Sequence, residues 1–270
     1  MSEFQEVVTV STEPAVNGEN SAENKFEANQ VVLSLSGGLD STCLLMYYLA
    51  QGKTVHAVSF RYGQKHAIEL KKVQKNIKFL QKLSLPVDHQ IVDLTSAFAM
   101  SASTLKADGG AIPEGNYADE NMKSTVVENR NITFSSIVYG IALGIANRSG
   151  ENIIISQGVH AGDHTIYPDC RPESVEMARE LYRISNWGSE RVDFETPFVN
   201  IHKGQVLQAG IDAMKKLGFN KPKIKKVLAN THTCYNPNEA GEACGKCGSC
   251  TERLEAFGFV GMEDPAPYQK

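Results

Sequence analysis

Apolar residues follow two alternating patterns along the chain. In the stretch 31–35, Val31, Val32, Leu33 and Leu35 make four of five positions apolar, as in a parallel strand buried on both faces. Runs at 55–60, 87–93 and 152–157 predict three more strands, and 194–199 a short fifth. Between these runs the apolar spacing shifts to three and four residues, the period of a half-buried helix. Leu44, Leu45, Tyr48 and Leu49 share one face, as do Leu70, Val73, Ile77 and Leu80 within 67–83. Helices are also predicted over 131–149, 172–185 and 203–217, with a short one after Cys250. The first of these holds Ser135, Ser136, Gly140, Ala142, Gly144 and Ala146, small residues that allow close packing, and Pro172 suits the first turn of the second. Segment 221–226 reads only as basic. Segment 94–129 is long and irregular, and such loops in compact domains are commonly lids or binding loops.

Strands alternating with helices predict an α/β fold built on a doubly wound parallel sheet, whose ligands bind beyond the carboxyl ends of the strands. Polar clusters at 36–42, 61–66 and 158–171 each follow a predicted strand, so one cleft is expected to collect them. Residues 1–29, rich in Glu, Asn and Ser, read as a flexible N-terminal extension. Residues 30–230 form the expected nucleotide-binding domain, and 231–270 a C-terminal cysteine segment.

The first strand leads into Ser36-Gly37-Gly38-Leu39-Asp40-Ser41-Thr42. Strand, glycine turn and helix start together present free backbone N–H groups to an anion. The two glycines permit a tight turn and close approach, and Ser41 and Thr42 add hydroxyls where the helix dipole favours negative charge. No Lys follows the glycines, so this is not the Walker pattern, and the Rossmann spacing is also absent. A bare Ser-Gly-Gly would be an ordinary turn.

The 270 residues carry a formal net charge of −4, which excludes a global basic footprint for nucleic acid. No apolar run approaches the roughly 18 residues of a membrane span, and the start of the chain lacks a signal-peptide pattern. A cytoplasmic protein acting on small molecules is expected, without direct contact to nucleic acid or membrane. A homodimer is compatible with the sequence.

Four of the six cysteines lie at Cys234, Cys244, Cys247 and Cys250. Four thiolates can close a tetrahedral, structural zinc site with no open position. A redox pair at Cys244 and Cys247, or an iron–sulfur cluster, are the other readings. Cys43 reads as a small buried hydrophobe. Cys170 is either a packing residue in a substrate pocket or a nucleophile needing a base such as His160 or His164. Asp163, His164, Asp169 and Arg171 crowd one loop, where carboxylates can accept from a guanine-like edge and Arg can fork onto a carboxylate. Lys203 and Arg130 are candidates to neutralise phosphate or carboxylate, although a lone lysine is more often a solvent residue.

SGGLDST resembles the PP-loop of the ATP pyrophosphatase superfamily. With YGQKH, ENRN, GVHAGDHTIYPDCRPE, THTCYN and CGKCGSC in this order, residues from about 31 to 268 resemble the 7-cyano-7-deazaguanine synthase family of queuosine biosynthesis. The resemblance implies ATP-dependent, AMP- and pyrophosphate-forming ligation: 7-carboxy-7-deazaguanine and ammonia become the nitrile through two adenylations. It implies that Leu35, Ser36, Gly37, Gly38, Leu39, Asp40, Ser41, Thr42, Cys43, Leu44 and Leu45 hold ATP. Ser36, Asp40, Ser41, Arg130 and Lys203 would serve catalysis. Gln64, His66, Asp163, Tyr167, Asp169 and Arg171 would hold the deazaguanine, with His66 or Asp163 near the incoming ammonia. One Zn²⁺ on the four C-terminal cysteines and a Mg²⁺ on the phosphates complete the expectation. Glu128 stands where the family usually has proline, and residues 1–30 lie outside its pattern. Another PP-loop amidotransferase or tRNA sulfurtransferase, or an enzyme that joins the activated deazaguanine to a protein amine, are the alternatives.

Overall fold

The computed structural model describes residues 26–65, 68–114 and 120–270. Five strands form one sheet: β1 (Gln30–Ser34), β2 (Thr54–Arg61), β3 (Val87–Asp93), β4 (Ile153–Ser156) and β5 (Val192–Glu195). Their order is β3-β2-β1-β4-β5, and every neighbouring pair is parallel. Among the described residues seven α-helices accompany them: α1 (Leu39–Leu49), α2 (Ile68–Lys82), α3 (Arg130–Ser149), α4 (Pro172–Ser185), α5 (Lys203–Lys216), α6 (Lys221–Ala229) and α7 (Gly248–Phe259).

Alternate residues of β1 face opposite sides, as the strand period requires. Val31 and Leu33 point into a core shared with α1, α2, α5 and α6. Val32 points the other way, into a core shared with α3 and α4 that also takes Ile153 and Ile155 of β4. Helices on both faces explain why these strands read as unbroken apolar runs. The strand order reverses direction between β1 and β4, and the crevice outside their carboxyl ends is where ligands collect on such sheets. On the first face α1 and α5 approach closely. A Cβ on Gly210 would lie 2.4 Å from Cys43 Sγ, so Cys43 is a packing residue in a contact only glycine permits.

Three features depart from the sequence reading. The fifth strand ends at Glu195, and 196–199 turn away with Val199 N–H donating to Thr196 (3.1 Å). Pro197 has no N–H for a ladder there. The basic segment is helical: Asn220 caps it by accepting from Lys223 N–H (3.2 Å), Pro222 sits in its first turn, and Ile224, Val227 and Leu228 are buried beneath the lysines. The C-terminal helix starts at Gly248, so Cys250 lies inside it. Residues just before β1 already belong to the fold, with Ala28 buried and Asn29 accepting from Thr54 N–H (2.9 Å). Among the described residues no helix is long and apolar enough to cross a membrane.

Candidate active site and cysteine cluster

The cleft opens at the switch point. One wall is the turn after β1. Leu35 still donates to Val58 (2.8 Å), after which Gly37 takes a φ of +93°. A Cβ at Gly37 would sit 2.7 Å from Val73 Cγ2 and 3.0 Å from the Glu69 carbonyl, so this position demands glycine twice over. Gly38 has φ −70° and ψ 174°, extended backbone that does not need glycine for its dihedrals, and it precedes α1 with no side-chain cap. The Ser36 and Ser41 hydroxyls lie 3.0 Å apart in the mouth of the turn. Gly158, after β4, packs its Cα against the same helix start: a Cβ would meet Ser41 N at 3.0 Å. Ser36, Gly38, Asp40 and Ser41 of this turn line the cleft, and no side chain caps the helix start.

Opposite this turn lies a buried charge cluster. Lys203 opens α5 with its amine 3.4 Å from Asp40 Oδ2 and paired with Glu252 (2.5 Å). Burial disfavours the ammonium, but the Asp40, Glu252 and Asp163 carboxylates outweigh it and raise the Lys203 pKa. His160 is fully buried, its Nε2 3.8, 3.7 and 3.9 Å from carboxylate oxygens of Asp40, Asp163 and Glu252. Its Nδ1 accepts from Gly162 N–H (3.0 Å), which assigns the neutral ring's proton to Nε2. Asp40 Oδ1 is buried and has no hydrogen-bond partner among the described residues.

The remaining wall is aromatic. Phe60 and Phe134 stack at 4.0 Å, and the Tyr62 ring lies 5.7 Å from Phe134. Arg130, the first residue of α3, donates to Tyr62 Oη (3.3 Å) and lies over the Tyr62 and Tyr167 rings. Asn129 before it has φ +53°, a left-handed conformation that Asn tolerates better than most residues. Glu128 points elsewhere: it accepts from Ser101 Oγ (2.5 Å) and Ala102 N–H (3.4 Å), and the serine hydrogen bond holds its carboxyl below the usual range. This glutamate ties the 94–129 loop to the start of α3.

The Cys234, Cys244, Cys247 and Cys250 sulfurs all lie within 4.8 Å of one another. Cys244 and Cys250 are 3.9 Å apart, far beyond a disulfide bond and near the roughly 3.8 Å between sulfurs held tetrahedrally at about 2.3 Å from one zinc. Backbone N–H groups of Asn236 and Cys244 donate to Cys234 Sγ, and that of Cys247 to Cys244 Sγ, as thiolates require. Four converging sulfurs suit a single ion, which accounts for Cys244 and Cys247 without a redox pair.

The family model described as "Queuosine biosynthesis protein QueC" matches residues 30–261. The chain belongs to the QueC family. It is 40% identical over 242 residues to the 7-cyano-7-deazaguanine synthase of Marinomonas sp. (strain MWYL1), covering 90% of this chain and 99% of that one. It is 38% identical over 250 residues to that of Hahella chejuensis, covering 93% and 97%. With that of Caldicellulosiruptor bescii the identity is 41%, over 89% and 97% of the two chains. A structure of NMN synthetase from Francisella tularensis matches loosely, at TM-score 0.39 and 15% identity over 87% of this chain and 79% of that one.

Within this QueC chain, Ser36, Asp40, Ser41, Gln64, Arg130, Asp163, Tyr167, Cys170 and Lys203 all line the one cleft. His66 lies outside the described residues. Other positions behave differently from the sequence reading. Leu39, Cys43, Leu44 and Leu45 are buried in the core beneath the turn, as is Leu35, so their side chains support the turn and do not line the cleft. The Thr42 hydroxyl donates back to the Gly38 carbonyl (2.8 Å). Gln64 lines the cleft but is used at both ends of its amide, accepting from Tyr62 N–H (2.8 Å) and donating to the Phe60 carbonyl (3.0 Å). Asp169 accepts from Asn131 backbone and side chain (3.3 and 3.1 Å). Arg171 is exposed and donates to the His164 carbonyl (2.9 Å), away from the cleft. Burial and the Asp163 and Asp169 carboxylates push the Cys170 thiol up, the wrong direction for a nucleophile. Sequence reasoning missed Glu252 and Glu69, and named His160 only as a candidate base for Cys170, not as the buried neighbour of Asp40, Asp163 and Glu252. Glu252 follows Cys250 by two residues but meets Lys203 across the fold, and no local pattern signals that.

Proposed function

We propose that this cleft converts 7-carboxy-7-deazaguanine and ammonia to 7-cyano-7-deazaguanine with ATP, as the names of the curated relatives suggest. The observation that carries the reading is the joining, in one cleft, of an uncapped glycine turn and the buried Lys203 ammonium with an aromatic wall bearing Arg130. The turn suits the pyrophosphate of ATP, with Ser36 and Ser41 hydroxyls and the N–H groups of the α1 start as donors. The α-phosphorus is then left to face the cleft, where a substrate carboxylate can attack it. Pyrophosphate departs, and donors already aimed at it stabilise its growing charge without reorganisation. Lys203 supplies a fixed positive charge beside Asp40. Ammonia displaces AMP to give the amide. A second adenylation on the amide oxygen, followed by loss of AMP, leaves the nitrile. The flat deazaguanine suits the Phe60, Phe134 and Tyr62 wall.

The buried Asp40 Oδ1, without a partner among the described residues, is an oxygen donor that would suit Mg²⁺, which would offset phosphate charge. The cysteine cluster fits Zn²⁺ in a structural role. Glu128, the departure that would favour a protein-amine acceptor, is engaged with Ser101 and Ala102, so free ammonia is the acceptor we infer.

The test supplies ATP, Mg²⁺, ammonium and the acid, then separates nucleotides and bases by chromatography. About two AMP per nitrile, with amide visible on early quenching, is expected. ADP as the main nucleotide product, or a protein adduct in place of free nitrile, would overturn the reading.

A further inference from the structure

Five carboxylates stand in or beside the cleft, and four are engaged. Asp40 and Glu252 pair with Lys203, Asp163 accepts from His160 N–H (3.2 Å), and Asp169 accepts from Asn131. Glu69, in the first turn of α2, is the exception. It lines the cleft, yet no hydrogen bond or ion pair to its carboxylate occurs among the described residues. Its position is nevertheless fixed, because its backbone carbonyl backs the left-handed Gly37. Burial pushes its carboxyl up to about 8, while the nearby charges of Arg130 and Lys72 pull the other way. The side chain is only partly covered and faces the cleft, so water serves its carboxylate until a ligand displaces that water. It is placed for a donor that arrives with the ligand.

We propose that Glu69 is the specificity-determining residue of the cleft, reading the ring N–H and exocyclic amino group of the deazaguanine while the neighbouring Arg130 takes the adjacent carbonyl oxygen. This rests on the reaction proposed above. The six-membered ring of that substrate presents acceptor, donor, donor along one edge. Arg130 offers donors only, and an ionised Glu69 offers two acceptors, which is the complement. Two N–H donors favour the ionised form and remove the cost of burying it. The stacked Phe60 and Phe134 and the Tyr62 ring supply apolar surface alongside. Glu69 and the glycine turn share a backbone contact, so the two ends of the substrate are registered against one rigid unit.

The test uses the full chain and two ligands, 7-carboxy-7-deazaguanine and the same acid lacking the 2-amino group, with a non-hydrolysable ATP analogue present. By calorimetry the parent protein should bind the amino-bearing acid about 10- to 100-fold more tightly, the range of one hydrogen bond to a charged group. Glu69→Gln should weaken that acid by a similar factor and bring the ratio of the two affinities near one. Affinity for the ATP analogue should not change, and in turnover the acid's KM should rise with kcat largely kept. Equal binding of both acids by the parent would overturn the proposal, and this comparison stands even if the variant fails to fold. Retained discrimination in Glu69→Gln, or a fall in kcat at constant KM, would also overturn it. If the parent neither binds nor turns over the amino-bearing acid, the proposed reaction fails and the assignment of Glu69 with it.

Discussion

Arg253 offers a sharp test of what holds the cysteine segment onto the rest of the fold. Its side chain is only 1% exposed. The guanidinium donates to both oxygens of Asp264 (2.6 and 2.9 Å), to Thr231 Oγ1 (2.7 Å) and to the Leu228 carbonyl (3.3 Å). Asp264 is as buried as its partner, and it also accepts from Tyr268 Oη (2.6 Å) and Ala266 N–H (3.0 Å). Arg253→Met keeps most of the hydrocarbon stem, so lost packing is a minor term. The major term is a buried carboxylate without its counter-charge, typically about 3–5 kcal/mol. Two surviving donors to Asp264 put the expected loss near the lower end, about 3 kcal/mol. At roughly 2–4 °C per kcal/mol for a domain of this size, the midpoint should fall by about 10 °C.

The pH dependence gives the sign. Burial opposes the Asp264 charge, but the hydrogen bonds and charge of Arg253 outweigh it, and the carboxyl is held below its ordinary value. A carboxylate with a depressed folded pKa stabilises fully above its unfolded pKa of about 3.9 and loses that contribution as pH falls through the folded value. The parent–variant gap should therefore be full at neutral pH and narrow below about pH 4. Urea unfolding of metal-replete protein at both pH values measures it. Arg253→Met with Asp264→Asn should recover part of the loss, because no buried charge then remains. A single variant within about 2 °C of the parent at neutral pH, or a double variant no better than the single, would refute the reasoning.

Purified protein should carry about one zinc per chain by elemental analysis, and Cys247→Ala should cost much of its solubility, since ligand binding here is folding free energy; active, soluble protein without zinc would contradict this. Lys203→Met should slow pyrophosphate exchange into ATP by about 10²- to 10³-fold, the scale of losing one charge-stabilising group, with circular dichroism checking the fold. Gly210→Ala should destabilise by about 1–3 kcal/mol in urea, because its Cβ would lie 2.4 Å from Cys43 Sγ; Cys43→Ala in the same chain should relieve only part, since the Cys43 Cβ would be 2.7 Å away. Cys170→Ser should keep product formation within about tenfold, and a loss above about 10³-fold would revive the nucleophile that its raised pKa argues against.

Strands were legible where burial on both faces forced runs such as 31–35, and α2 where its lysines left a clean apolar face. Helix α6 was not. Four lysines and one proline in its first six residues hid a single buried turn, Ile224, Val227 and Leu228, too short for periodicity to register. The fifth strand misled for the opposite reason: Phe198 and Val199 extend the apolar run, but they belong to a turn whose apolar residues are buried by tertiary contacts. Propensity cannot distinguish a strand from an apolar turn packed on a core.

The site divides along the same physical line. The half proposed to bind the anion is local, because turn, hydroxyls and helix start occupy consecutive residues, and consecutive residues are what a motif records. Even there, treating 35–45 as one ligand-binding block ignores the helical period, which sends Leu39, Cys43, Leu44 and Leu45 into the core. The charged half is non-local. Lys203 could be named as a candidate from its sequence but its partners could not, because Asp40 lies on α1 and Glu252 on α7, and only the packing of α5 between them makes the ammonium buried and paired. Glu69 looked like a first-turn acid on an amphipathic helix, a common arrangement. What sets it apart is that no donor to its carboxylate occurs among the described residues, whereas Asp40, Asp163, Asp169 and Glu252 each have at least one partner, and that distinction exists only once the chain is folded.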